Sequence, residues 1–205
     1  MPTPVCSAAA IYGAINFCPG QVVLPGIRRR AYYIRKEDIV TWPANPVLTA
    51  LRAGTAITAS TAAVLTGEFT LATGKKWQLL DVEVSRSNVE SEPQGEVHSR
   101  TYLNRATLYH NTTDKAVSGF AAAAANDDLV FLIQQADGRF RLVGSEVFDT
   151  KVDVNLSLGQ GATSEAGSTI TVEGTDFSPA PFFEGTIATE DGDISGEDGS
   201  PVTGG

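Results

Sequence analysis

The side chains that most often carry out chemistry are few in this chain. His98 and His110 are its only histidines, and no G-x-S-x-G turn offers either of them a serine nucleophile. Asp81 and Glu83 could form a carboxylate pair for general acid–base catalysis, but strand alternation favours two charges on a solvated sheet face. We therefore expect no catalytic residues and predict that the protein is not an enzyme.

Motifs for cofactors and metals are equally weak. The glycines of Gly159-Gln160-Gly161 lack the spacing of a phosphate loop and join two predicted strands instead of opening a helix. The acids of residues 190–198 lack the closing glutamate of a calcium loop. Cys6 and Cys18 are the only cysteines; we favour free thiols, and whether they pair is left open. We expect no cofactor and no bound metal.

Composition favours a protein that packs against copies of itself. The chain has 205 residues, of which 42% are hydrophobic and only 19% charged, with 20 glycines. A net charge of -9 argues against a tight nucleic-acid binder, which needs a clustered positive face. No segment approaches the roughly 20 apolar residues that span a bilayer, and the N-terminus is a poor signal peptide. We expect no membrane association and synthesis in the cytoplasm.

Alternating apolar and polar residues predict the elements that would position any site. The clearest predicted strands are 64–73, 77–84, 101–110, 129–135, 140–144, 151–158 and 169–175. Alternation is cleanest in 151–158 and 169–175, whereas 129–135 is a continuous apolar run that fits a strand buried on both faces. Asp137-Gly138 between two of these runs predicts a hairpin. The alanine-rich segment 115–125 predicts the one helix, with Asp114 as its N-cap. The expected fold class is mainly β: an antiparallel β-sandwich or barrel with one flanking α-helix.

The chain divides into three predicted parts. Residues 1–25 are rich in Pro, Gly and Ala and are interpreted as an extended arm. Residues 26–185 form a single domain, which contains a long polar loop at 85–100. Residues 186–205 hold five acids and no Lys or Arg, and we expect them to form a flexible, glycine-rich tail.

One basic cluster, Arg28, Arg29 and Arg30, stands out. It is too short for a nucleic-acid patch, and acids follow it at 37 and 38. These arginines could meet carboxylates on a neighbouring copy, for example in the acidic tail. A solvated strand edge is the open alternative.

The order of segments over residues 64–185 resembles the tail tube (major tail) proteins of long-tailed bacterial viruses. The shared features are two strands, the polar segment 85–100, a strand, the helix, and a late hairpin. The final strand and the aromatic-proline segment Pro179-Ala180-Pro181-Phe182-Phe183 look like the family's C-terminal signature, and residues 138–144 are also similar. The first sixty residues show no such likeness.

This resemblance implies a structural virion protein whose copies form hexameric rings. In the family, the rings stack into a hollow tube around a tape-measure protein and conduct DNA at ejection. Sheets of neighbouring subunits join edge to edge, and a long loop contacts the next ring. The implied partners are further copies, the tape-measure and other tail proteins, and double-stranded DNA that passes without specific binding. The implied location is the virion tail.

Residues of this chain can be assigned to those roles as expectations. The polar strand faces are expected to line the lumen, through Glu68, Asp81, Glu83, Asp153, Asn155, Thr171 and Glu173. The polar loop is expected to make the inter-ring contact through Asn88, Val89 and Glu90, with Val89 as an apolar anchor; a disordered loop is the alternative. Arg28, Arg29 and Arg30 are the candidate inter-subunit basic cluster.

Two other functions fit the same sequence features. One is a head decoration or other capsid protein, which would also be a virion component but would not form open rings. The other is a carbohydrate- or host-binding β-sandwich, which should expose aromatic side chains and remain monomeric.

Overall fold

The computed structural model describes residues 15, 20, 22–53, 57–161 and 163–202, with residues 50–53 described by their backbone alone. Most of the predicted N-terminal arm lies outside these residues, as do Cys6 and Cys18.

The described residues form thirteen strands and three α-helices. The strands are β1 (Ile27–Arg35), β2 (Ile39–Thr41), β3 (Thr70–Leu71), β4 (Gln78–Asp81), β5 (Asn88–Gln94), β6 (Thr101–His110), β7 (Leu129–Gln135), β8 (Phe140–Val143), β9 (Thr150–Ser157), β10 (Gly167–Asp176), β11 (Phe182–Phe183), β12 (Thr186–Thr189) and β13 (Gly192–Ser195). The helices are α1 (Pro46–Ala53), α2 (Ala59–Ala62) and α3 (Lys115–Ala124).

Two antiparallel sheets make the main body of the fold. The four-stranded sheet has the order β5-β6-β10-β9, and the five-stranded sheet has the order β11-β8-β7-β1-β4. Strands with one apolar face bury that face against the other sheet. The core between the sheets contains Ala106, Leu108, Phe131, Ile133, Ile170 and Val172, each at most 1% exposed. The predicted mainly β, antiparallel sandwich is confirmed.

Helix α3 flanks this core as predicted for residues 115–125. Its N-terminus is capped by Asp114, whose Oδ1 accepts a hydrogen bond from the Val117 N–H at 3.0 Å. Phe120 packs edge-on against Tyr33 with ring centroids 5.0 Å apart, and Ala124 is buried in the core. The helix therefore closes the sandwich near β1 and β9.

A second apolar cluster covers the other face of the five-stranded sheet. Its centre is aromatic: Phe69 lies between Trp77 and Phe183, at ring-centroid distances of 5.3 and 4.9 Å. Ile187 of β12 and Ile194 of β13 complete this cluster from the C-terminal end of the chain. The five-stranded sheet is therefore buried on both faces, which explains why β7 is apolar at successive positions.

Replacing Trp77 by alanine should destabilise the protein strongly. Trp77 is 1% exposed, and removing a buried tryptophan costs about 3–5 kcal/mol. The melting temperature should fall by roughly 6–20 °C, at about 2–4 °C per kcal/mol for a chain of this size. Thermal unfolding followed by far-UV circular dichroism measures the shift.

The half-buried Trp42 is the matched control, because it contacts the same Phe69 ring at 5.4 Å from the rim of the cluster. Trp42→Ala should cause a clearly smaller loss than Trp77→Ala. Equal losses would contradict the central position of Trp77.

The predicted loop at 85–100 is wrong for its central seven residues. Residues 88–94 form β5, which pairs with β6 from Asn88 opposite Thr107 to Gln94 opposite Thr101. β5 is an edge strand with one solvated face, so it needs few apolar residues and gives a weak strand signal. Residues 85–87 precede the ladder, and the hairpin tip at 95–100 extends beyond it.

The predicted flexible tail is also wrong for residues 186–202. β12 and β13 form a hairpin in which Ile187 lies opposite Ile194, and these side chains are 0% and 8% exposed. Gly192 has φ 117°, a conformation suited to glycine in the tight turn. Two isoleucines are enough to hold this hairpin against the domain, because they pack onto the apolar surface of the five-stranded sheet.

Candidate assembly surface

The outer face of the four-stranded sheet is polar along all of its strands. The residues on it follow from the registers, because directly opposed residues in antiparallel strands point to the same side. β10 contributes Thr169, Thr171, Glu173 and Thr175, and β9 contributes Lys151, Asp153, Asn155 and Ser157. β5 and β6 add Asn88, Glu90, Glu92 and Gln94, and Thr101, Leu103, Arg105, Thr107 and Tyr109.

The apolar members of this outer face are partly covered. Leu103 is half-buried, and the ring of Tyr109 lies under the Arg86 guanidinium at 3.6 Å. Hydroxyls, amides and charges occupy the other positions. Such a face is stable in contact with water and has no large exposed apolar patch to which another molecule could bind.

A row of alternating charge crosses this face from edge to edge. Glu90 is opposite Arg105, Arg105 is opposite Glu173, and Glu173 is opposite Lys151. The Arg105 Nε lies 2.8 Å from the Glu173 Oε1. Lys151 also bonds to Asp153, which raises the pKa of its amine. Each base on the face therefore has an acidic partner.

Four of the seven residues predicted to line a lumen share this outer face: Asp153, Asn155, Thr171 and Glu173. The other three lie elsewhere and do not join them. Glu68 is in a loop, where its Oε2 accepts a hydrogen bond from the Thr186 N–H at 2.7 Å. Asp81 ends β4 on the other sheet, and Glu83 follows it and accepts a bond from the Ser85 hydroxyl at 2.7 Å.

Both edges of the four-stranded sheet are open among the described residues. In the described part of the chain no strand pairs with the outer side of β5 or of β9. At the start of β9, however, the Thr150 N–H already donates to Asp128 Oδ1 at 2.8 Å. Open edges are unusual, because they offer unpaired N–H and C=O groups to other chains.

The edges of the five-stranded sheet are partly covered by other segments of the chain. Its β11 edge is covered by residues 63–65, through bonds of 2.8 Å from Leu65 N–H to Phe182 O and from Phe182 N–H to Ala63 O. At its other end, the Trp77 N–H beside β4 donates to Ala188 O of β12 at 2.9 Å. Along Gln78–Asp81 itself, the outer side of β4 has no strand partner among the described residues, so the five-stranded sheet is covered at its β11 edge and only at the start of β4.

The basic cluster Arg28, Arg29 and Arg30 is fully on the surface. A register shift between Ile27 and Ala31 inserts a bulge in β1, and all three arginines are exposed as a result. No carboxylate lies within salt-bridge distance of their guanidinium groups among the described residues. Bulges re-aim side chains in this way, which sequence alternation could not anticipate.

The residues predicted for an inter-ring contact do not sit at the tip of a loop. Asn88 and Glu90 are exposed on the edge strand β5, with Asn88 Nδ2 2.6 Å from Glu90 Oε1. Val89 is half-buried and packs against the core between the sheets, so it is not a free anchor. The exposed apolar side chain of this hairpin is Val97, 64% exposed, beside His98 with φ 76°.

The described residues contain no cluster of three or more His, Cys, Asp or Glu side chains arranged for a metal ion. Among the helices described, none is long and apolar enough to cross a membrane.

The most perturbed carboxyl is Asp176, at the end of β10. Burial raises its pKa to about 6, and its one hydrogen bond, from the Phe177 N–H at 2.7 Å, offsets this only in part. It lines a cavity of about 270 Å³ with Trp42, Leu142 and Val147. Sequence alternation does not reveal the burial of Asp176, because in the sequence this residue looks like the polar end of a strand.

No protein-family model, no curated protein and no solved structure matches this chain.

Proposed function

We propose that this chain is the tail tube subunit of a long-tailed bacterial virus, a structural protein whose copies join into stacked hexameric rings around a DNA channel. The observation that carries the proposal is the four-stranded sheet, which combines a polar outer face with two open edges. The likeness of residues 64–185 to the family supports the same function and supplies the ring number.

The directions of the open edges suit a closed ring. Neighbouring strands in the order β5-β6-β10-β9 are all antiparallel, so β5 and β9 run in opposite directions. A rotation about the ring axis that relates one copy to the next brings β9 of one copy beside β5 of its neighbour, as an antiparallel pair. This contact is heterologous, and it closes when the rotation completes a circle. The four-stranded sheets then form one barrel with their polar face inward.

The charge on this face suits the passage of DNA. On the strands of this face the four acids Glu90, Glu92, Asp153 and Glu173 outnumber the two bases Arg105 and Lys151, which are paired with acids. Arg86, whose guanidinium covers Tyr109, is paired with Glu165. Affinity for DNA comes mainly from lysine and arginine that neutralise phosphates. A weakly acidic wall repels DNA within a Debye length of about 8 Å at physiological salt, so the genome slides without being held.

Stacking of rings needs a second contact along the axis. The hairpin tip at 95–100, with the exposed Val97, replaces Val89 as the candidate apolar contact. The candidate charged contact is the basic cluster Arg28, Arg29 and Arg30, which has no salt bridge to the described residues. The expected partners are further copies, the tape-measure protein and other tail proteins, in the virion tail.

Electron microscopy of the purified full-length chain over a wide concentration range tests the function. We expect rings or tubes with an open axial lumen, and a mass in light scattering that rises with concentration. A particle that stays monomeric at every concentration would contradict the proposal.

Positive charge added to the outer face should make the assembled tube retain DNA. Thr169 and Thr171 are suitable positions, because both lie on the interior strand β10 and neither takes part in the row of salt bridges. Thr169→Lys/Thr171→Lys should leave assembly intact and cause tubes to retain short double-stranded DNA in a low-salt pelleting assay. Retention should fall steeply as salt rises.

The matched control is Asn111→Lys/Ser118→Lys, which adds the same charge at exposed positions outside the sheet. Equal DNA retention by both double variants would contradict the lumen position of the outer face.

A further inference from the structure

The two ends of the row of alternating charge carry opposite charges. It begins with Glu90 on the open edge of β5 and finishes with Lys151 on the open edge of β9. Repeating the sheet head to tail therefore continues the alternation without a break. Joining two β5 edges or two β9 edges would instead bring the row's like charges together.

We infer that neighbouring subunits pair β9 with β5 in the register that places Lys151 directly opposite Glu90 of the next copy. The partner is thus a second copy of this chain, and the inference rests on the proposed function. In this register Val152 is opposite Val89 and Asp153 is opposite Asn88.

Charge also disfavours the nearest alternative registers. A sheet register must shift by two residues to keep each side chain on its face. A shift in one direction places Asp149 opposite Glu90 and Lys151 opposite Asn88, so it loses the attraction and gains a repulsion, because like charges directly opposite each other destabilise a strand pair. A shift in the other direction places Lys151 opposite Glu92 and Asp153 opposite Glu90. This second shift keeps one attraction, but its repulsive pair lies within β5 and β9, and the row Glu90, Arg105, Glu173 and Lys151 no longer continues into the next copy.

One like-charge pair remains in the inferred register. Asp149 comes opposite Glu92, but it lies just before β9, and its carboxylate is 3.3 Å from the Lys36 Nζ. Because the Thr150 N–H is also occupied, the intermolecular ladder is short and starts from Lys151. Charge and side-chain contacts are therefore expected to matter more than the number of backbone bonds.

Exposed apolar residues near the same edges support this arrangement. With Lys151 opposite Glu90, the second half of β9 runs beside residues 84–87 of the next copy. Leu156 on β9 is 43% exposed, and Val84 is 44% exposed. Residues 84–86 form a short 3-10 helix before β5, so the ladder sets no direct contact between Val84 and Leu156. Both side chains lie close to the joint, where part of their apolar surface is removed from water.

Disulfide trapping tests the register in the assembled full-length protein. Glu90→Cys/Lys151→Cys is made in a Cys6→Ser/Cys18→Ser background. Directly opposed residues have Cα atoms about 4.5–5.5 Å apart, within the range of roughly 4.4–6.8 Å that a disulfide needs. A shift of two residues increases the distance to about 7–8 Å. Within one subunit the two positions are separated by roughly 14 Å, three strand spacings, so any bond links two copies.

We expect the Glu90→Cys/Lys151→Cys variant to give a ladder of covalent oligomers on non-reducing gels. Its cross-linked fraction should exceed that of the shifted pairs, Glu90→Cys/Asp153→Cys and Glu90→Cys/Asp149→Cys, by about tenfold or more. Glu90→Cys and Lys151→Cys made singly should cross-link only when the two proteins are mixed.

The outcomes separate the register from the function. Rings that form while a shifted pair cross-links best, or while none does, overturn the register and leave the tube function standing. Cross-linking by a single variant alone overturns the head-to-tail joint. A parent protein that shows no rings in electron microscopy overturns the tube function, and the register with it.

Discussion

Replacing Leu156 by lysine is expected to leave the subunit folded and to raise the concentration needed for ring assembly by about 10- to 100-fold, which corresponds to about 1.4–2.8 kcal/mol per joint. Leu156 lies near the end of the open edge of β9, on the inner side of the sheet, and is 43% exposed. An inward-pointing lysine on an edge strand is a device that natural proteins use to prevent edge-to-edge pairing.

Assembly is measured by sedimentation velocity over a series of protein concentrations, and folding by circular dichroism of the monomer. The matched control is Leu158→Lys, which makes the same change just beyond β9, at a side chain that is 80% exposed. Assembly that is equally impaired in both variants, or in neither, would contradict the role of the β9 edge. The effect does not depend on the register of the joint.

Replacing Asp176 by asparagine should stabilise the subunit at neutral pH. Burial raises the pKa of this carboxyl in the folded state to about 6, from an ordinary value of 3.8, so the folded protein binds the proton more tightly than the unfolded chain. Stability from this group is complete below pH 3.8 and is lost as pH rises through 6. At about 1.36 kcal/mol per pKa unit, the loss at neutral pH is about 3 kcal/mol.

Asparagine keeps an acceptor for the Phe177 N–H and carries no charge to bury. The melting temperature of Asp176→Asn should therefore exceed that of the parent by roughly 6–12 °C at pH 7.5, and the difference should vanish near pH 3.5. Thermal unfolding of the monomer at several pH values measures both. Asp193→Asn, at an exposed carboxyl in β13, should shift the melting temperature by little. A difference that does not change with pH would show that burial of the charge is not the cause.

Sequence alternation predicted about half of the candidate site. Asp153, Asn155, Thr171 and Glu173 fall on one face because each strand alternates strictly, and two such strands joined by a short glycine-rich turn tend to pair. The other predicted lumen residues, Glu68, Asp81 and Glu83, belong to other segments. The alternation of apolar and polar residues predicts on which face of its own strand a residue lies, but it does not predict which strands belong to the same sheet.

Local signals predicted other elements well. The hairpin at Asp137-Gly138 joins β7 to β8, and Gly138 has φ 108°. The capped, alanine-rich helix is α3. In each case a few neighbouring residues hold the necessary information, because turn geometry and capping depend on contacts within one short segment.

The amino-acid sequence by itself determined the class of the fold, the polar and apolar sides of its long strands, and the helix, because these follow from local propensity and period. Only the tertiary structure decided that β5 is an edge strand, that the C-terminal segment is a packed hairpin, and that Glu90, Arg105, Glu173 and Lys151 form one row. These features depend on pairing between residues far apart in the chain. A single residue's shift in pairing would send every side chain of a strand to the other face.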